Sequence, residues 1–125
     1  MEIKTHKTTL LSNKPYRVGC WAPSTELIGA VSQVQGTVAS AMDTIRGKLA
    51  LTNSDGDPTG GEAFNYSPKA YLVVGNLSSF VSEHGVNQEK FRSFELFRRN
   101  TLSPEIITFD ELYERAKFIV HQNET

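Results

Sequence analysis

The sequence predicts an α/β fold in which short strands alternate with helices, and three observations carry that expectation. Apolar residues recur at helical spacing from Leu27 onward for two dozen positions. The run at residues 70–74 is continuously apolar and closed by Gly75 and Asn76, as a strand buried on both faces should be. Two capping signatures, Asn87 and the pair Thr108 and Glu111, launch further helices on either side of a second apolar run at 106–109. The implied order is strand, helix, strand, helix, strand, helix, with neighbouring strands joined through helices.

Residues 2–5 read as a short first strand. Successive strand side chains alternate faces, so Ile3 points one way while Glu2 and Lys4 share the other. Asn13, Pro15, Gly19 and Pro23 break the next stretch into loop, with a brief strand between Tyr16 and Trp21. Ser24 is a good N-cap for the clearest helix, and Glu26 places negative charge at its positive end. From there Leu27, Val31, Val34, Val38, Ala41, Ile45 and Leu49 step by three or four residues, which describes an amphipathic helix; Gly36 is a weakness costing about 1 kcal/mol relative to Ala.

Residues 51–69 are rich in Asn, Asp, Gly, Ser and Pro and predict a flexible loop. Asn53, Asp55 and Asp57 resemble the start of a calcium loop, but Pro58 stands where that loop needs its turn glycine and Phe64 where it needs a bidentate Glu. After the buried strand, Asn87 caps a helix in which Phe91, Phe94 and Phe97 repeat every three residues and Glu95 can pair with Arg99. The last helix is expected to turn Leu112, Ala116 and Ile119 inward.

Composition narrows the functional classes. With 125 residues, 38% of them hydrophobic and 22% charged, the chain suits a single globular domain over residues 1–125. A formal charge of -1 gives no global field for a polyanion, so any nucleic-acid contact must be a local patch. One cysteine, Cys20, allows no internal disulfide, and no Cys/His spacing suggests zinc. No apolar run approaches the roughly 20 residues needed to span a bilayer, and no secretion signal opens the chain. A cytoplasmic protein without membrane partners is therefore expected.

Among possible constellations, Glu2 and Lys4 come first: a metal-dependent phosphodiesterase needs a carboxylate for its ion and a cation near the attacking water or the phosphate. Gln33 flanks the Val34 stripe beside Ala30 and Thr37, so it can point at the sheet edge carrying that pair. His6, Lys7, Tyr16 and Arg17 follow and can reach a phosphate backbone. A basic cluster of Lys90, Arg92, Arg98 and Arg99 offers further phosphate contacts, partly cancelled by Glu89 and Glu95. Cys20 has no histidine near it in sequence, and G-x-S-x-G, Walker and G-x-G-x-x-G motifs are lacking.

Taken as a series, "EIKTH", "ELIGAVSQVQGTVASAM", "YLVVGN" and "VNQEKFRSFELFRRNTLSPEIITFDELYERAKFIV" resemble the C-terminal catalytic domain of the Shedu anti-phage nucleases, a family of the PD-(D/E)XK, or restriction-endonuclease-like, superfamily. The resemblance covers nearly the whole chain and is most specific in the block from Lys90 to Ile119. It implies a three-layer sandwich, a central mixed sheet flanked by helices, in which the superfamily's first strand and helix lie upstream of Met1. It implies a Mg²⁺- or Mn²⁺-dependent DNA endonuclease, with Glu2 as metal ligand, Lys4 as catalytic lysine and Gln33 as the glutamine of the following helix; His6, Lys7 and Arg17 are the expected DNA contacts.

The superfamily's other metal-binding Asp belongs to the preceding strand, and no residue here matches it. Activity in isolation is thus in question, and a non-catalytic module binding DNA or protein on the same fold is the alternative expectation. An exposed sheet edge in place of the first strand implies a homo-oligomer or a complementing upstream polypeptide.

Overall fold

The computed structural model describes residues 1–49 and 68–123. Its elements run β1 (Glu2–Ile3), α1 (Thr25–Leu49), β2 (Tyr71–Val73), a 3₁₀ turn (Leu77–Phe80), β3 (Val81–Ser82), β4 (Gly85–Val86), α2 (Gln88–Arg99), β5 (Glu105–Ile107) and α3 (Phe109–Asn123). The predicted loop at 51–69 and its calcium-like residues fall almost entirely outside the described residues.

Three strands form a parallel sheet in the order β1-β2-β5. Glu2 lies opposite Leu72 and Ile3 opposite Val73, while Leu72 faces Ile106 and Val73 faces Ile107. The register sorts the side chains. Leu72, Val74 and Ile106 join Leu27, Ala30, Val31 and Val34 of α1 and Phe94 of α2 in one buried cluster, so α1 and α2 cover the same face of the sheet. Val73 and Ile107 are also buried but project from the opposite face. Central β2 is thereby apolar on both sides, as the uninterrupted run at 70–74 predicts.

The helix starts follow their capping chemistry. The Ser24 hydroxyl accepts the Leu27 N–H at 3.0 Å and donates to the Thr9 carbonyl at 2.5 Å, tying α1 to the segment after β1. Asn87 accepts the Lys90 N–H at 3.1 Å. At α3 the Thr108 N–H donates to Glu111 at 3.1 Å, but the Thr108 hydroxyl donates to Asp110 and Glu111 instead of accepting a backbone N–H, so half of the predicted capping box forms.

Several expectations are corrected. Among the described residues the three-stranded sheet is wholly parallel rather than mixed, and antiparallel pairing occurs in a separate two-stranded ribbon, β3 with β4, turning at Glu83 and His84, and in two isolated bridges. The stretch from Tyr16 to Trp21 is a turn closed by a single bridge between Arg17 and Cys20. Glu95 pairs with Arg98 rather than Arg99. Ala41, Ala116 and Ile119 are exposed, and α3 buries no side chain. Among the described residues nothing covers Phe118, Ile119 and Val120 of α3, which stay more than half exposed.

Two features hold the frame. Gly75, with φ +63°, ends β2 in the left-handed region, and a Cβ there would lie 2.7 Å from Leu10 Cδ2 and 2.8 Å from the Thr8 carbonyl oxygen. Its N–H donates to Thr5 O at 3.0 Å and its carbonyl accepts the Phe109 N–H at 2.8 Å, so one residue joins the ends of β1, β2 and β5. Arg98 forms the other feature, pairing with Glu95, donating to Glu111 at 2.5 and 2.9 Å and lying 4.9 Å from the Phe94 ring centroid. Burial opposes ionisation of Glu111, but hydrogen bonds from Arg98 and Thr108 outweigh it and hold the carboxyl below its ordinary value of 4.5.

Gly75→Ala is expected to destabilise the fold by about 2–4 kcal/mol in urea denaturation, combining left-handed strain with displacement of Leu10 and Thr8. Glu111→Gln is expected to cost about 1–2 kcal/mol at neutral pH. Because the folded carboxyl titrates below its unfolded value, this contribution is complete above the unfolded value and is lost as pH falls through the folded one; the two proteins should converge in stability in acid.

Candidate active site

An edge strand reading Glu-Ile-Lys would ordinarily bury the isoleucine and leave the charges in water. Here the pairing with β2 does the reverse. Because Glu2 shares the face of Leu72, and Lys4 continues the ladder by donating its N–H to Val73 O at 2.8 Å, both charged side chains turn toward α1. Ile3 is 60% exposed, while the Lys4 and Glu2 side chains retain 33% and 37% exposure. Partial removal of two charges from water is unfavourable unless they are paired, and these are.

Lys4 Nζ lies 3.5 Å from Glu2 Oε1 and donates to Gln33 Oε1 at 2.8 Å. Gln33 stands on α1 next to Val34, whose burial fixes the rotation of the helix and so aims the amide at the sheet edge. Thr37 donates its hydroxyl to the Gln33 carbonyl at 2.9 Å, one turn on. The structure thus brings Glu2, Lys4 and Gln33 together. An ammonium has three N–H donors, and two are directed at Gln33 and Glu2; among the described residues the third, the second Glu2 oxygen and the Gln33 NH₂ have no partner.

Beside Glu2 opens a cleft of about 180 Å³ whose walls include Thr37, Lys69 and Tyr71. Sequence reasoning missed Lys69 and Tyr71. Lys69 lies 5.3 Å from the Tyr71 ring centroid and 3.4 Å from Glu105, and its ammonium is held above its ordinary value by Tyr71 first and Glu105 second. The available signal was positional: Lys69 immediately precedes the apolar run that pairs with β1, at the Glu2 end of the strand.

The other predicted residues are dispersed. His6 and Lys7 occupy the turn that follows β1, with the His6 ring edge-on to Phe109 at 6.2 Å. Arg17 lies in the separate turn near Cys20. The predicted basic patch on α2 also divides, since Arg98 is consumed by Glu95 and Glu111 while Lys90 stacks over Trp21 at 4.6 Å. Gln35 donates to Ser103 O at 2.8 Å and takes no part in the cluster.

A divalent cation would find one carboxylate in this cluster, Glu2. Among the described residues, no group of three or more His, Cys, Asp or Glu side chains is placed to hold an ion. Mg²⁺ takes six near-octahedral oxygen ligands, several of them water, so Glu2 would supply one and water, substrate or further protein the others.

The family model for the C-terminal part of Shedu protein SduA matches residues 1–113. The chain is also 29% identical over 121 residues to the Shedu protein SduA of Bacillus cereus strain B4264, a match covering 96% of this chain and 30% of that protein. The chain therefore spans about 30% of the length of this curated relative.

If the cluster exists for chemistry rather than stability, it should be nearly dispensable to the fold. Lys4→Ala and Gln33→Ala are each expected to shift unfolding free energy by less than about 1 kcal/mol, the range of partly exposed pairs, when measured by thermal or urea denaturation.

Proposed function

The chain belongs to the family of the SduA C-terminal region, and from that membership and the cluster on β1 we propose that it is the nuclease part of an anti-phage defence protein, hydrolysing DNA phosphodiesters. The observation that carries the reading is the inverted burial of β1, with Ile3 in solvent and Glu2 and Lys4 turned onto Gln33. Stability would select the opposite facing. A parallel β1-α1-β2 unit with Glu-x-Lys on its first strand and Gln on its helix supports the restriction-endonuclease-like arrangement that the resemblance implies.

In this reading the third Lys4 N–H binds a non-bridging oxygen of the scissile phosphate, where negative charge builds in the transition state. Glu2 accepts a hydrogen bond from the attacking water, and Gln33 fixes the direction of Lys4. Dependence on Mg²⁺ or Mn²⁺ is part of the proposal: Glu2 offers one oxygen ligand, and the rest would have to come from substrate or from protein outside the described residues. Lys69 adds positive charge at the same cleft. The lone carboxylate favours, as the second reading, a non-catalytic module that binds DNA or a partner chain.

A plasmid-nicking assay with Mg²⁺ or Mn²⁺ separates these readings, run on the chain alone and together with any upstream-encoded polypeptide. Lys4→Ala is expected to reduce nicking at least 10²-fold and Gln33→Ala less, both with folded protein. DNA retention without nicking in either format would establish the module instead. Association with a second copy or a complementing chain through edge strand β1 is also proposed; light scattering is expected to show a mass above 13.9 kDa, and a strictly monomeric profile would contradict it.

A further inference from the structure

A second cleft, of about 410 Å³, lies at the carboxyl ends of β1 and β2. In open parallel sheets that edge is where ligands are bound, because the chain leaves each strand there and the loops diverge around a crevice. One wall is the turn after β1, bearing His6 and Lys7. The opposite wall is the segment after β2, bearing Asn76, Ser78 and Ser79, and Lys90 enters from the first turn of α2. Leu10 and Phe80, both buried, make the floor.

The charge of this cleft is one-sided. Two lysines and a histidine line it and no Asp or Glu does, in a protein whose formal charge is -1. The groove beside Arg98 shows the contrast: Glu95, Glu105 and Glu111 there face Lys69, Arg98, Arg99 and Arg115, so acids offset all but one of the cations. Lys7 has no ion-pair partner among the described residues, and Lys90 is held over the Trp21 ring rather than by a carboxylate. The Ser78 hydroxyl and the Asn76 NH₂ add neutral donors beside the cations, while Ser79 donates its hydroxyl to Asn76 O at 2.8 Å. A concave site lined by lysines and neutral donors, with no acid, is matched to a phosphate group.

We infer that this cleft is a phosphate-binding site distinct from Glu2, Lys4 and Gln33, taking a phosphate carried either by a nucleic-acid strand or by a free nucleotide. The inference stands whether or not Lys4 takes part in hydrolysis. If the ligand is a nucleic acid, the cleft supplies a contact displaced from the cluster by the turn after β1, so it would set the path of the strand without touching the reacting atoms.

The test is NMR titration of ¹⁵N-labelled protein with inorganic phosphate, a nucleoside monophosphate and a short DNA duplex. It compares wild type with Lys7→Gln and Lys90→Gln and, as a control for loss of surface charge, Lys14→Gln. Saturable shifts are expected at residues 6–9 and 76–80 with at least one probe. The affinity for that probe should fall about 10-fold in Lys7→Gln and Lys90→Gln and less than twofold in Lys14→Gln. A free-nucleotide site responds fully to the monophosphate; a nucleic-acid contact responds to the duplex, and each lysine removed lowers the salt slope by about one. The spectra themselves report whether each variant is folded. Absence of saturable shifts with all three probes, or unchanged affinity in folded Lys7→Gln, would overturn the inference. Lys4→Ala nicking results bear on neither outcome.

Discussion

The arrangement depends on a residue without a side chain. β1 pairs over two residues, too few to hold itself against the sheet, and what extends its grip is the ladder through Lys4 and Thr5 to Gly75. Gly75 can accept Leu10 and the Thr8 carbonyl at distances no Cβ allows, and its left-handed φ turns the chain toward the 3₁₀ segment. Both candidate sites inherit their geometry from this contact. It helps fix which face of β1 looks at α1, and it ties the turn after β1 to the segment after β2, the two walls of the proposed phosphate site.

From that constraint the polarity of the first strand follows. Register with β2 sends Glu2 and Lys4 to the helix side, and the buried Val34 stripe rotates Gln33 toward them. The two conditions are independent, one set by strand pairing and the other by helix packing, yet they converge on a hydrogen bond of 2.8 Å. The exposed Ile3 and half-buried charges are an arrangement that packing would not choose. Sites that violate local stability rules are where function is sought first.

Much of this was legible from periodicity and capping. The α1 stripe, the buried strand closed by Gly75, and the Asn87 and Thr108 helix starts all follow from short-range chemistry. Gln33 was placeable because helix spacing ties it to Val34. What escaped depends on tertiary geometry. The β3-β4 ribbon has two-residue strands, too short for an alternation signal. Glu95 pairs with Arg98 rather than with the i,i+4 Arg99, in a cluster that Glu111, distant in sequence, completes. Lys69 joins the Glu2 cleft through strand register, which no local pattern encodes. The exposure of α3 reflects what packs on it among the described residues, which no pattern within the helix reports.

The central claim, that Glu2, Lys4 and Gln33 form one phosphate-processing surface, is tested most directly by a crystal structure with a short DNA duplex and Mn²⁺. The account expects a backbone phosphate within hydrogen-bonding distance of Lys4 Nζ, with Gln33 still accepting from the same ammonium. DNA seated elsewhere, with Lys4 turned only to Glu2 and solvent, would contradict it.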